Sequence, residues 1–444
     1  MRSLQIEGHP STSAGLHAAL VATATAHVDD IHRAKCTPVT PIMIARMDCH
    51  GVGEDLNQVV RMLAVAITQR RQLVLLPPPP AQARGECKLP ASVVLGATQP
   101  WHWLAGQSIP LESLLVLSSC HVELLRREPK LMQALARSNA GNATATALSL
   151  GASSFAAAAR ESASLWRSHL AVSKHVPRIF QRQGLLWWFQ ILTTYIVRIR
   201  GPLAHMLQVH PAMQPFILSG APTEDAGADL RWRGWTVSCG MRYCDGIGPG
   251  WTPTARFDAG LHLRIGDSCK SGLARYSLHV RRCDVNLTMA LQRFRALGLH
   301  NGSIFVASDS QQVIDQVAAG ATWPLNASYL KIDRVRFETS AGTEKIGMMT
   351  RRLNSLLEAL MDALLLSRTP LIAGKMMSNF PRFALQMRVQ MPARRHTLHR
   401  GHAAYIALDD RPWCTRTSCR EPFATPRDQQ LASRRELTRN PIIA

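Results

Sequence analysis

The residues of this 444-residue chain that can do chemistry gather at the ends of short apolar stretches. In LHLRIGDSCK, residues 261–270, Leu261, Leu263 and Ile265 alternate with His262, Arg264 and Gly266, the period of a strand. Arg264 lies on one face of that strand, three residues before Asp267. A guanidinium on a buried strand needs an anionic partner, because an unpaired charge in an apolar interior is too costly to keep. Two partners fit: Asp267, or an anionic ligand. Asp309 follows the apolar stretch SIFVAS and reads as a strand-end or helix-cap acid. Asp362 stands inside LLEALMDALLLS, where it needs a hydrogen-bonding partner. Ser378 and Asn379 precede Phe380-Pro381, the pattern of a helix N-cap. Gly51 and Gly53 in CHGVGED make a tight turn, or a place where backbone approaches a ligand. His50 and His262 read first as structural histidines, and Trp187 and Trp188 as core.

The elements that must position these residues alternate in type. Residues 1–40 are polar and rich in Ala, Thr and Ser, and are expected to be poorly ordered. IMIARM then gives a strand and CHGVGED a glycine loop. A helix follows with Leu56, Val59, Val60, Leu63 and Ile67 on one face, and QLVLL is a second strand, stopped by four prolines. That is a βαβ unit of a parallel sheet. Residues 110–210 have mostly helical periodicity, and 217–256 are rich in Gly and Pro. The second half alternates again: strand GLHLRIGD, helix VNLTMALQRFRALG, strand GSIFVASDS, helix QQVIDQVAAG, a long helix ending LLLSR, strand PLIAGK and helix SNFPRFALQMRVQ. The expected fold is α/β, with two facing Rossmann-like domains and a helical insertion. The first domain covers 41–216, a linker 217–256, the second domain 257–400 and a tail 401–444. Open parallel sheets bind ligands beyond the carboxyl ends of their strands. Arg264–Asp267, Ser308–Ser310 and Lys375–Asn379 all fall at such ends.

Composition narrows the classes. Apolar content of 46% with 18% charged residues describes a globular chain, not a disordered one. A net charge of +21 by itself points to an anionic partner. Its arginines are scattered, however, without the dense basic run and interleaved aromatics of a nucleic-acid groove, so no nucleic-acid partner is expected. LLWWFQILTTYIV, at 13 residues, is too short to span a bilayer. Ten cysteines include three close pairs, Cys239/Cys244, Cys269/Cys283 and Cys414/Cys419. None has CxxC spacing, so disulfides in an oxidising compartment fit better than zinc. Sequons at Asn142, Asn286, Asn301 and Asn326 point the same way. The first twenty residues hold no apolar h-region, so the protein is cytosolic or its anchor precedes this chain.

The motifs, in their order, resemble those of the N-glycan core α1,6-fucosyltransferases. GVGEDLNQVVRMLAVAITQRRQLVLL resembles the glycine loop, helix and strand that open the family's catalytic region. LLWWFQILTTYIVRIRGP is similar to its tryptophan-pair helix, with Trp187, Trp188, Tyr195 and Arg198 in register. GLHLRIGD resembles its His-x-Arg-Arg-x-Asp strand, and SIFVASDS its strand ending in Thr-Asp-Asp. ALMDALLLSRTPLIAGKMMSNFPRFALQM resembles its Asp-containing helix, following strand and Ser-Ser-Gln loop, and YIALDD a segment near its end. The likeness runs over roughly residues 45–410. It implies a GT-B fold, GDP-fucose as donor on the C-terminal domain, inversion at the anomeric carbon and no metal or other cofactor. The implied acceptor is a glycan or glycoprotein, and the implied setting the Golgi. It also implies roles. Arg264 contacts the β-phosphate and stabilises the leaving diphosphate. His262 and Asp267 share that strand end. Asp309 lies near the guanosine or the site wall, and Asp362 accepts from the guanine ring. Ser378 and Asn379 bind phosphate at a helix N-terminus.

The chain departs from the family's pattern at several of these places. Ile265 stands where the family has a second arginine, Ser310 where it has a second aspartate, and Met377-Ser378-Asn379 where it has Ser-Ser-Gln. The family's base is a glutamate past the strand's aspartate, but SCKSGLARYS holds no acid. An inverting transfer needs a base. Asp267 is the candidate nearest in sequence, with Glu338 and Glu344 farther off. Two alternatives stay open: an enzyme of this fold using another nucleotide sugar, and a non-catalytic protein that keeps the nucleotide-sugar pocket. Cys269 and Cys283 resemble the ends of a disulfide-closed loop beside the site.

Overall fold

The computed structural model describes residues 13–37, 40–46, 52–76, 102–104, 107–110, 114–127, 176–199, 201–216, 257–265, 285–335, 349–376, 378–388, 404–409 and 442–443. Residues 217–256 and the cysteine pairs 239/244, 269/283 and 414/419 lie outside these.

Within residues 1–40, the described part contains a helix, α1 (Ser13–His32). Its polar composition hides a stripe of Val21, Ala24 and Val28, spaced three and four apart and all buried. The end of α1 is tied down by a disulfide between Cys36 and Cys120, 84 residues apart. No spacing motif announces a pair so distant in sequence.

The N-terminal βαβ unit forms as its pattern requires. β1 (Ile42–Arg46) and β2 (Gln72–Leu76) pair in parallel, with Ile42 opposite Gln72 and Arg46 opposite Leu76. Between them α2 (Val52–Thr68) buries Leu56, Val59, Val60, Leu63 and Ile67. Every residue of β2 is buried, which is why it reads as a continuous apolar run. The Gln72 amide links this unit to its neighbours: Nε2 donates to the Ala34 carbonyl (2.6 Å) and Oε1 accepts from the Cys120 N–H (2.8 Å).

A short antiparallel hairpin, β3 (His102–Leu104) and β4 (Gln107–Pro110), is followed by α3 (Ser119–Arg127). Next come α4 (Leu185–Ile196) and α5 (Gly201–Val209). Trp188 of α4 is fully buried and stacks on Phe180, centroids 5.4 Å apart, so it is core as expected. Among the described residues no helix is long and apolar enough to cross a membrane.

The second half builds a six-stranded sheet from β5 (Ala259–Leu263), β6 (Gly302–Ser308), β7 (Leu325–Ser328), β8 (Leu371–Gly374), β9 (Ala404–Ala407) and β10 (Ile442–Ile443). Its order is β10-β9-β8-β5-β6-β7, parallel except for β10. The chain lays β5, β6 and β7 outward to one edge, then returns to place β8 and β9 on the other side of β5. Counted from β5 this is the order 3-2-1-4-5 of a doubly wound sheet, and its reversal lies between β5 and β8. β7 is an edge strand of mixed burial, which is why its sequence LNAS carries no strand signal.

Among the described residues four helices accompany the sheet: α6 (Leu287–Ala296), α7 (Gln311–Ala318), α8 (Met349–Ser367) and α9 (Asn379–Gln386). Leu261, Leu263 and Ala373 pack with Leu291, Phe294, Val313 and Val317 on one face. On the other, Phe305, Ala307 and Ile372 join a contiguous apolar cluster that runs through α8, α9 and α4 to α2 and α1. The chain is therefore mixed α/β with parallel sheets, and its N-terminal βαβ unit shares a core with the C-terminal sheet.

Candidate functional site

Polar side chains collect where β5, β6 and β8 end. Ser308 closes β6 against β5: its Oγ donates to the Leu263 carbonyl (2.7 Å) and accepts from the Ser310 N–H (3.1 Å). This places Asp309 beside the residues that leave β5. Its Oδ1 accepts from the Ile265 N–H (2.9 Å), and its Oδ2 lies 3.9 Å from Arg264 Nη1. Asp309 thus gives Arg264 an anionic partner from the neighbouring strand. Asp267 lies outside the described residues. The pair is long and the Arg264 side chain is 32% exposed, so the contact is a loose one.

The other wall comes from β8. Lys375 follows its last residue and donates from Nζ to the Arg264 carbonyl (2.9 Å). The Ser378 N–H donates to the Lys375 carbonyl (3.0 Å), and the Met376 N–H to Oδ1 of buried Asp409 (2.9 Å). That turn delivers the N-terminus of α9 to the same edge. A Cβ on Gly374 would meet Pro381 at 2.9 Å, so the close approach of β8 and α9 requires glycine there. Ser378 is the N-cap, but its side chain makes no cap hydrogen bond. The first turn of α9, with its positive end of the helix dipole, is therefore not closed off by its own cap. Asn379 Oδ1 instead accepts from Arg382 Nη2.

His262 lies between the two walls. Its ring stacks on Phe380, centroids 4.7 Å apart, and its buried Nδ1 has no hydrogen-bond partner among the described residues. Burial holds its pKa well below the usual 6.5, and Arg264, Arg334 and Lys375 push it further down. The imidazole is neutral, in a strongly positive field.

Asp362 is paired with a residue 28 positions away in sequence. Arg334 Nη1 and Nη2 donate to its two carboxylate oxygens at 2.9 and 3.3 Å, and Nη1 also donates to the Ser308 carbonyl. Burial raises the Asp362 pKa, and Arg334 opposes that rise. Asp362 thus has the hydrogen-bonding partner that an acid in an apolar helix requires. It reaches the site through Arg334, which braces the end of β6. Sequence reasoning missed Arg334, because KIDRVRF has no periodicity to mark a buried cation.

The glycine loop has a packing role at one of its two positions. A Cβ on Gly53 would lie 2.9 Å from Phe380 Cα and 3.0 Å from its N. Asn57 Nδ2 donates to the Asn379 carbonyl (2.9 Å). Gly53 therefore lets the first turns of α2 and α9 touch, while Gly51 lies outside the described residues. The far end of α9 is held by α4, where Gln190 Nε2 donates to the Leu385 carbonyl (3.1 Å) and Thr193 Oγ1 to Gln386 Oε1 (3.2 Å). Gly53→Ala should destabilise the chain by about 1–3 kcal/mol, because the new methyl meets backbone that cannot rotate away. Urea denaturation measures this, and a curve superimposable on the parent's would show that α2 and α9 part without penalty.

The structure thus brings His262, Arg264, Asp309, Ser378, Asn379 and Gly53 to one edge, with Asp362 one residue removed. Glu338 and Glu344 lie outside the described residues. Among the described residues no group of three His, Cys, Asp or Glu side chains is placed to hold a metal ion. This edge gathers a guanidinium, an ammonium and a helix N-terminus, groups of the kind that hold anions.

No protein-family model matches the chain, and no curated protein matches it. Among solved structures it is similar to the NodZ α1,6-fucosyltransferase soaked with GDP-fucose, at 13% identity and a TM-score of 0.37, over 83% of this chain and 94% of that one. It is also similar to NodZ co-crystallised with GDP, at 12% identity and 0.34, over 83% and 94%. A third is the fucosyltransferase NodZ from Bradyrhizobium, at 12% identity and 0.34, over 84% and 96%.

Proposed function

We propose that the chain is a GT-B glycosyltransferase that moves fucose from GDP-fucose to a glycan or glycoprotein acceptor with inversion. One observation carries the reading. The strand-order reversal between β5 and β8 has Arg264, His262 and Asp309 on one side and Ser378-Asn379, opening α9, on the other. Sheets of this order receive nucleotides at that reversal. The ordered sequence motifs favour GDP-fucose as the nucleotide sugar.

In this reading residues 41–216 and 257–400 are two facing Rossmann-like domains, and the donor sits on the second. The acceptor hydroxyl attacks the anomeric carbon. The carbon–oxygen bond to the β-phosphate breaks, its electron pair leaves with GDP, and the hydroxyl proton passes to a base. Asp267 is the candidate base. Arg264 forks onto the β-phosphate, whose charge grows as the sugar departs. Ser378, Asn379 and the first N–H groups of α9 hold phosphate oxygens. Asp309 aims Arg264, and Asp362 supports the wall through Arg334. The Cys36–Cys120 disulfide and the sequons support passage through the secretory pathway.

A thermal-shift panel tests the donor. GDP and GDP-fucose should raise the melting temperature, by an amount equivalent to about 2.7 kcal/mol at a hundredfold excess over Kd, and UDP and ADP should not. Arg264→Ala should erase the GDP shift. Stabilisation by another nucleotide alone would make the donor a different nucleotide sugar. GDP binding without fucose release or transfer would make the chain a non-catalytic binding protein.

A further inference from the structure

We infer that Asn326 carries an N-linked glycan whose first sugar covers the indole of Trp323. The inference rests on the secretory-pathway part of the reading above and is independent of the donor. Asn326-Ala327-Ser328 is a sequon, and Trp323 stands three residues before its asparagine. Asn326 is exposed, and Trp323 is 80% exposed. Scattered apolar side chains are common on a surface, but an indole is ordinarily mostly buried. Of the described sequons, Asn326 alone has a tryptophan within three residues. The Asn286 side chain, by contrast, already accepts from the Met289 N–H (2.9 Å) as the cap of α6.

The local structure holds both residues in place. Asn326 is the second residue of β7. Leu325 and Ala327 face the apolar cluster shared with α6 and α7, so by strand alternation Asn326 faces the other way. Trp323 sits in a turn closed by the Leu325 N–H, which donates to the Thr322 carbonyl (2.9 Å). Arg295 Nη2 donates to the Trp323 carbonyl (3.3 Å) and ties that turn to α6. The C–H face of a pyranose is apolar and suits the face of an indole. β7 runs parallel to β6, so Asn326 lies toward the amino edge of the sheet, opposite the edge that carries Arg264 and Asp309. A glycan there leaves the donor edge clear. Attachment joins Nδ2 of Asn326 to the anomeric carbon of a lipid-linked oligosaccharyl diphosphate. The bond from that carbon to the diphosphate breaks, its electron pair leaves with the diphosphate, and Nδ2 gives up one proton.

The full chain, led by a cleavable signal sequence and secreted from cultured insect cells, tests this. Peptide mass mapping should find a glycan on Asn326. Ser328→Ala, which removes the hydroxyl that the sequon requires, should abolish it. Hydroxyl-radical footprinting should oxidise Trp323 about 2- to 10-fold less in the glycosylated chain than in Ser328→Ala, the range that an aromatic contact of ordinary strength gives. The parent chain after enzymatic removal of its glycans should match the variant. An unmodified Asn326 in the folded, secreted chain overturns the inference. So does a glycan that leaves Trp323 as reactive as in the stripped chain, which would return Trp323 to a surface open to a protein partner. A chain that folds in the cytosol and aggregates in the secretory lumen overturns the secretory reading itself, a result distinct from either.

Discussion

Replacing Asp362 with alanine should destabilise the chain by about 3–5 kcal/mol, one of the largest losses available to a single substitution here. Arg334 and Asp362 are both buried and face each other through two hydrogen bonds. Removing the carboxylate strands a guanidinium that is 2% exposed and still bonded to the Ser308 carbonyl. The doubly apolar replacement, Asp362→Leu with Arg334→Met, should recover most of that loss, because the penalty belongs to the orphaned charge and not to the absent attraction. Denaturant curves of the two single variants and the double variant measure both effects. A loss below about 1 kcal/mol in Asp362→Ala would mean that the pair is open to water. The double variant also separates Asp362's two readings. With a structural role it still responds to GDP. A residue that reads guanine would lose that response while stability was restored.

The second large effect is acid lability. His32 and His121 are buried beneath α1 and α3, and desolvation lowers the pKa of each from 6.5 to about 3. His121 Nδ1 accepts from the Leu75 N–H (3.0 Å), which fixes its neutral form with the proton on Nε2. His32 Nδ1 lies 3.3 Å from the Tyr195 hydroxyl, which donates to Asp29 (3.0 Å). The neutral form is favoured in the fold and the charged form in the unfolded chain. Stability from this source is therefore complete above pH 6.5 and is lost as pH falls toward 3. At pH 5 each histidine takes away about 2 kcal/mol, at 1.36 kcal/mol per pKa unit. His262 acts in the same direction. Asp362, whose pKa burial raises, acts in the opposite one. Two histidines together remove about 4 kcal/mol, a large part of a typical domain's stability. Urea midpoints at pH 7.5 and 5.0 should differ accordingly, and His121→Gln should shrink that difference. Equal midpoints at the two pH values would show that these histidines are hydrated in the fold.

Much of the framework could be read locally. β2, β5 and β8 are buried throughout and β1 and β6 over most of their described residues, and all show as short apolar runs, separated by helices with regular apolar stripes. Parallel pairing follows from that alternation, since each crossover helix returns the chain to the same edge. The strand ends could be read as well: a charged or polar residue directly after such a run must emerge at the carboxyl edge, and Arg264, Asp309, Lys375 and Ser378 all do. α1 and β7 could not, because the apolar stripe of the first is thin among polar residues and the second is an edge strand.

By itself, then, the sequence determined that this is an α/β chain with its polar residues at the carboxyl ends of parallel strands, because burial writes periodicity into the chain. It could not choose partners. Arg264 meets Asp309 on the next strand, Asp362 meets Arg334 28 residues away, Cys36 meets Cys120 84 residues away, and Gly53 meets Phe380 from the other half of the chain. Those pairings rest on separations of a few ångströms between elements far apart in sequence. Charge and hydrogen-bond energies fall steeply with distance and angle in space and are blind to distance along the chain, so only the packed tertiary structure decided them.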